Sequence, residues 1–472
     1  MDILLLDTGA RRRRVRRTRR ALIASVAGAA LLGGVLVLAP RERAAAPPPP
    51  APGPAAQALG AVRAAVPAAL PDLAVLIGER EARVRADPED ARSWAVLGAA
   101  YAEQGRRTAD PALFPRAERA LRTSLEVAPR RNADALEGMA ALAVARRDFS
   151  AAKWWGEAAR KLEPRRWAAH ALLIDAYTGL GDHEAAERSL DRLTELRSGP
   201  AVMARAAAVY RDRGWREDAA ARISDAAALA EAPAERAAYL ERAGQLAFER
   251  GDREAALRYF EEALRTDPDQ RAAQAGQGRA LAALGRTTEA LTAYQAALAR
   301  QPCPAHALEL GELYESLGLE QAARVQYDLL RARVREAAAG GADEELVLGL
   351  FEADHGDAEA AVRRLRAEWR RQPGTAVADA LGWALHRAGR DEEALEFART
   401  ATEGERGGGV RSAPYAYHRG EIERALERYG AARRHLREAL RINPYFSPLH
   451  VPQARRALAA LGEPSVEGPP EP

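Results

Sequence analysis

Apolar positions recur at helical spacing from about residue 71 to 462, and no stretch alternates with the two-residue period of a half-buried strand. The helices come in pairs that repeat with a period near 34 residues. Segments 237–268, 271–302 and 304–334 align with one another. Each opens with an apolar-patterned helix, turns at Gly251, Gly285 or Gly318, and continues into a second helix. Small residues sit five and twelve positions after the glycine: Ala256 and Ala263, Ala290 and Ala297, with Ala323 and Leu330 as a partial match.

Elementary packing accounts for this spacing. Glycine ends the first helix by taking the left-handed conformation that other residues resist. Small side chains let the antiparallel helices approach, and Phe260, Tyr294 or Tyr327 fills the gap beside them. Pro268 and Pro302 end the second helix and reset the register.

The pattern resembles the tetratricopeptide repeat family. A first unit near 91–129 carries Trp94, Leu97, Gly98 and Tyr101, then Ala117, Leu121 and Pro129. About seven extra residues are expected to lengthen its turn. Further units lie near 133–164, 167–199 and 200–230. They keep Gly138, Ala152 and Ala159; Tyr177, Gly181 and Ala186; and Tyr210, Gly214 and Ala219. After the three aligned segments come 342–373 (Gly349, Gly356, Ala361), 375–402 (Gly382, Gly389, Ala394) and 413–444 (Gly420, Ala432, Ala439), about ten units in all. Residues 71–86 read as a leading helix and 451–461 as a capping helix that shields the end of the stack. The resemblance implies an all-α, right-handed superhelical solenoid over 71–462, with ligands on a concave face lined by the first helix of each unit.

Carrying the family's inward offsets onto this chain gives Asp379, Trp383, His386 and Arg387 in the ninth unit and Tyr417, Glu421 and Arg424 in the tenth. Earlier units present mostly alanine there (Ala95, Ala99, Ala204, Ala208, Ala275), with Glu241, Gln245, Arg279 and Glu312 between. Aromatic and arginine side chains together make interface hot spots, so these seven are candidate partner-binding residues; the alternative is that they only pack one unit on the next. The Asn and Lys of the family's carboxylate clamp are missing, so recognition of a chaperone's acidic tail is not expected.

The N-terminus has a different character. Residues 1–20 contain the block RRRRVRRTRR, and residues 21–39, ALIASVAGAALLGGVLVLA, hold neither charge nor proline. Nineteen residues make a helix of about 28 Å, close to the bilayer hydrocarbon thickness. The arginines predict a cytoplasmic N-terminus and an extracytoplasmic body. A cleaved signal peptide is the alternative. It is opposed by the length of the apolar run and by proline after the small-residue points at Ala39 and Ala46. The stretch 40–70 begins PRERAAAPPPPAPGPAA and is expected to be a proline- and alanine-rich linker. Residues 463–472 are expected to be a disordered tail.

Composition narrows the function classes. The chain has 472 residues, 47% of them hydrophobic, and a single cysteine, Cys303, which excludes a disulfide framework and a thiolate zinc cluster. Formal net charge is +3, but residues 1–43 hold ten arginines against Asp2, Asp7 and Glu42. The remainder is therefore slightly acidic and offers no net basic surface for nucleic acid. Catalytic motifs fail: Lys153 and Lys161 lie outside any phosphate-binding loop, and His183-Glu184 lacks the second histidine of a zinc protease. The glycine-rich stretch 405–411 lacks a phosphate-binding register and reads as a loose joint. No catalytic, cofactor-binding or metal-ligating set is predicted. The expected function is a non-enzymatic, membrane-anchored scaffold at the cell envelope that binds a protein or peptide. The alternatives are an accessory subunit that positions a separate envelope enzyme, and a structural spacer without a selective ligand.

Overall fold

The computed structural model describes residues 52–403 and 409–463. The predicted cytoplasmic segment 1–20, the apolar span 21–39, the linker as far as residue 51, part of the glycine-rich joint and the tail from 464 lie outside them. Among the described residues there are 23 α-helices and no strand, and no helix is long and apolar enough to cross a membrane.

The helices form consecutive antiparallel pairs. A leading pair is α1 (Pro54–Arg63) with α2 (Leu70–Ala86). Units one to five follow: α3 (Ala91–Thr108) with α4 (Leu113–Val127), α5 (Ala133–Ala145) with α6 (Phe149–Leu162), α7 (Trp167–Gly179) with α8 (His183–Leu196), α9 (Pro200–Asp212) with α10 (Arg216–Leu229), and α11 (Pro233–Glu249) with α12 (Arg253–Thr266). Units six to ten are α13 (Arg271–Ala283) with α14 (Thr287–Arg300), α15 (Pro304–Ser316) with α16 (Glu320–Ala339), α17 (Glu345–His355) with α18 (Ala358–Arg371), α19 (Thr375–Arg387) with α20 (Asp391–Thr402), and α21 (Ala413–Ala425) with α22 (Tyr429–Ile442). The last helix, α23 (His450–Leu461), covers the end of the stack.

Two expectations need correction. The linker predicted over 40–70 gives way to helix at Pro54: proline suits the first helical position, and the following AAQALGAVR contains no breaker. Most of the extra residues of the first unit do not go into its turn; they continue α3 to Thr108, Ala109 ends the helix at φ 50°, and the turn 109–112 is one residue longer than 180–182 or 250–252.

Within a unit the turn is built from two residues in succession. Gly181 and Gly251 adopt φ 67° and 83°, and the next residue, Asp182 or Asp252, caps the second helix by accepting from the backbone N–H of Ala185 or Ala255 at 3.0 Å. In the second unit Arg147 takes the left-handed position at φ 59°, with Asp148 as the cap. The glycines inside first helices answer to packing instead. A Cβ at Gly311 would lie 2.3 Å from the Tyr327 ring, one at Gly244 2.6 Å from Phe260, and one at Gly349 2.6 Å from Leu365. Each large side chain of a second helix thus rests directly on the backbone of its partner helix. The core accordingly runs along the stack as successive clusters, not as one centre.

The stack also coils back onto itself. The second unit meets the eighth: the N–H of Phe149 donates to Gln372 Oε1 at 3.0 Å, Gln372 Nε2 donates to the Arg147 carbonyl at 3.0 Å, and Ser150 Oγ donates to the Arg371 carbonyl at 2.8 Å. The third meets the ninth through His183 Nε2 and Thr375 Oγ1 at 3.1 Å. The fourth meets the entry to the tenth, where the Gly409 N–H donates to the Asp212 carbonyl at 2.8 Å. The fifth meets the exit of the tenth, where buried Asn443 donates from Nδ2 to the Phe248 carbonyl at 2.8 Å. A regular offset of six units means that successive winds of the coil touch. Gly374 and Gly214 serve this seam: a Cβ would sit 2.3 Å from the Gly179 carbonyl oxygen, or 2.4 Å from that of Gly409.

Candidate functional site

The seven sequence-derived positions fall on two adjacent first helices, α19 and α21, and the structure brings them into one neighbourhood. Trp383 is 2% exposed and Tyr417 is 1% exposed, with ring centroids 5.7 Å apart. Trp383 Nε1 donates to Asp354 Oδ1 at 3.0 Å, and the Tyr417 hydroxyl donates to Gln453 Oε1 at 2.9 Å. Asp379 is buried against His418, His386 Nδ1 sits 2.5 Å from Asp391, and Glu421 accepts from Arg424 Nη2 at 2.7 Å. Only the two guanidinium groups reach far into solvent: the side chains of Arg387 and Arg424 are each 44% exposed. Arg387 donates from Nε to the Ala353 carbonyl and lies 3.7 Å from Asp354 Oδ1. The aromatic members therefore form a floor, and the arginines stand at its edge.

Sequence spacing did not disclose the histidines of this floor. His418 stacks on Trp383 at 4.4 Å with its ring 17° off parallel, and His450, from α23, stacks on Tyr417 at 5.0 Å. His450 also approaches Asp354, Nε2 to Oδ2 3.5 Å. Burial opposes the imidazolium form, but the Asp354 carboxylate outweighs it and holds the His450 pKa above its ordinary value. The reciprocal effect keeps Asp354 below the usual carboxylate range despite its own desolvation. No periodicity links residues 354, 383, 418 and 450; three different units and the last helix supply them.

Elsewhere on the first helices several inward charges pair with one another. Arg211 forks onto Glu249 with bonds of 2.8 and 2.9 Å, joining units four and five. Arg279 forks onto Glu309 at 3.2 and 2.6 Å, joining six and seven, and the Tyr294 hydroxyl adds a bond of 2.9 Å to the same carboxylate. Between α1 and α2, the carbonyls of Ala65 and Ala68 accept from Arg205 Nη2 at 3.0 Å and from Arg107 Nη1 at 2.7 Å. The leading pair is thus tied to the first and fourth units. Among the described residues, no group of three or more His, Cys, Asp or Glu side chains is arranged to hold a metal ion.

Helix pairs with glycine-led turns, small residues at the crossing and a capping helix invite comparison with known repeat proteins. Tetratricopeptide repeat models match residues 242–302, 276–340 and 413–446. Those segments, residues 242–340 and 413–446, are similar to tetratricopeptide repeats. No curated protein matches it. Similar solved structures include the human IFIT1 dimer with PPP-AAAA, 17% identical over 66% of this chain and 72% of that one, at a TM-score of 0.45. A tetratricopeptide repeat protein from Parabacteroides merdae is 17% identical over 56% of this chain and 99% of that one, at 0.33. The APC/C hetero-tetramer Cut9-Hcn1 is 15% identical over 82% of this chain and 92% of that one, at 0.31. Likeness at these scores has no bearing on what this chain binds. The tetratricopeptide repeats themselves suggest a scaffold for protein interaction.

Proposed function

We propose that the protein is a non-enzymatic scaffold held at the cell envelope by residues 21–39, with its N-terminus cytoplasmic and its repeat body extracytoplasmic. It binds a protein or peptide partner at the edge of the floor formed by units nine and ten. The observation that carries this reading is the pairing of a rigid, buried aromatic base (Trp383, Tyr417) with two half-exposed guanidinium groups, Arg387 and Arg424. Such a base loses little entropy on binding, and arginine forks suit carboxylates or backbone carbonyls of an incoming segment. Tethering raises the concentration of the site near membrane-bound partners.

The test is affinity capture from a native envelope extract with the full chain in mild detergent, beside an Arg387→Ala/Arg424→Ala variant. Trp383 and Tyr417 are left intact, because removing either would hollow the core. A protein retained by the native chain and lost with the variant supports the reading; equal retention moves the site elsewhere. Deleting residues 21–39 should release the chain from membranes, and a deletion variant that still pellets with them refutes the anchor. A spacer without a selective ligand is the second reading, favoured by the mutual pairing of Arg211, Glu249, Arg279 and Glu309, which takes up four charges of units four to seven.

A further inference from the structure

One surface is used neither by the floor nor by the seam. Trp154, on the outward side of α6, is 62% exposed, the most exposed large hydrophobic side chain among the described residues. The chain's two lysines flank it on the same helix. Lys161 is two turns on at i+7 and so lies on the same face, while Lys153 and Arg160 form a parallel row one residue back. Arg130 and Arg131, in the loop before α5, and Arg165, in the loop after α6, add exposed cations next to the ends of parallel second helices. None of Arg130, Arg131, Arg160, Lys161 and Arg165 is ion-paired among the described residues. The local balance matches: residues 130–166 hold nine basic against five acidic side chains, within a body that is acidic overall.

An exposed indole beside unpaired cations is the composition of a bilayer interface, where the ring sits at headgroup level and the cations meet anionic lipid. We propose that this face of the second unit docks on an anionic membrane surface. Proximity, though not the chemistry of the face, rests on the anchor proposed above. Twelve residues separate the apolar run from the first described residue, a reach of at most about 40 Å. Within the body, Trp155 packs against the same extended core cluster as Leu59 and Val62 of α1, the first helix after the linker. Docking there would lay the repeat coil against the bilayer and restrict the directions from which a partner can approach units nine and ten.

The test places a reporter on the face. The full chain, as Cys303→Ser with Ala158→Cys, one turn on from an intact Trp154, carrying an environment-sensitive fluorophore, is reconstituted into phosphatidylcholine vesicles with or without phosphatidylglycerol, some doped with spin-labelled quencher lipid. A second label, through Glu427→Cys on the tenth unit, serves as reference. Docking predicts quenching at 158 but not at 427, in anionic vesicles only, abolished by high salt. Replacing Arg160, Lys161 and Arg165 by glutamine should lower the docked-to-undocked ratio by about two orders of magnitude, at roughly fivefold per cation. Absence of quenching at 158 in anionic vesicles overturns the proposal, as does equal quenching without phosphatidylglycerol. A reporter that responds to soluble polyglutamate but not to vesicles overturns it in favour of an acidic protein partner. Resistance to alkaline extraction is scored on the same vesicles and reports the anchor separately, so a chain that extracts yet docks refutes the anchor and leaves the face intact.

Discussion

Gly311 and Gly78 are both helical glycines, and the structure assigns them opposite worth. A Cβ at Gly311 would overlap the Tyr327 ring, whereas one at Gly78, on the exposed side of α2, meets nothing within 4 Å. Gly311→Ala should destabilise the fold by about 1–3 kcal/mol through overpacking, and Gly78→Ala should stabilise it by about 1 kcal/mol through helix propensity. Glu427 offers a third case. It is exposed and holds φ 58°, in the turn position that other units give to glycine. Glu427→Gly should relieve this strain and stabilise by about 1 kcal/mol. Urea denaturation of the three variants beside the native chain checks all of these signs; a stabilised Gly311→Ala would contradict the close helix contact.

At the scale of elements, α23 is latched by one ion pair in a crowded site. His450 faces Asp354, with Glu312 and Arg387 also acting on it, Tyr417 stacked on its ring and Trp383 and His418 meeting it edge-on. Its folded pKa is raised above the ordinary 6.5, so the stabilisation it lends is complete below that value and is lost as pH rises through the folded pKa. Asp354 is depressed below 3.8, so its share is present above that value and disappears as pH falls through its folded pKa. The latch is therefore strongest between roughly pH 4 and 6.5. The stability difference between native chain and His450→Gln should narrow from pH 6 to pH 8. A difference unchanged over that range would remove the ion pair from the account of how the helix is held.

At the scale of the molecule, the contacts between winds convert an open stack into a closed coil. Gln372 bridges the second and eighth units, and Asn443 the fifth and tenth, both buried. Removing either side chain leaves backbone groups without partners, at about 1–3 kcal/mol each. Contacts within and between neighbouring units remain, and repeat stability is largely nearest-neighbour. The Gln372→Ala/Asn443→Ala variant should therefore stay helical by circular dichroism while its radius of gyration rises in small-angle scattering. An unchanged radius would mean that the curvature of the units alone holds the winds together.

The repeat was open to sequence reading because each unit is a local object. A glycine that must turn left-handed, small residues where helices cross and a proline at the exit all act within about 34 residues, so their period survives in one dimension. The same locality made the clustering of α19 and α21 foreseeable, since adjacent first helices place Trp383 beside Tyr417. Other features had no period to betray them. The helix α1 sat in a segment whose prolines pointed to a linker. The extra residues of the first unit had as good a claim to loop as to helix. Exposure was also beyond reach: the inward offsets marked Trp383 and Arg387 alike, and only packing buried the first and left the second in solvent. His450 against Asp354, Gln372 against Phe149 and Asn443 against Phe248 join residues from different units or different winds. The amino-acid pattern by itself determined the helix pair and how it repeats, because those depend on near neighbours. The small rotation between units, accumulated over six of them, decided which distant turns meet, and that sum is a property of the assembled coil alone.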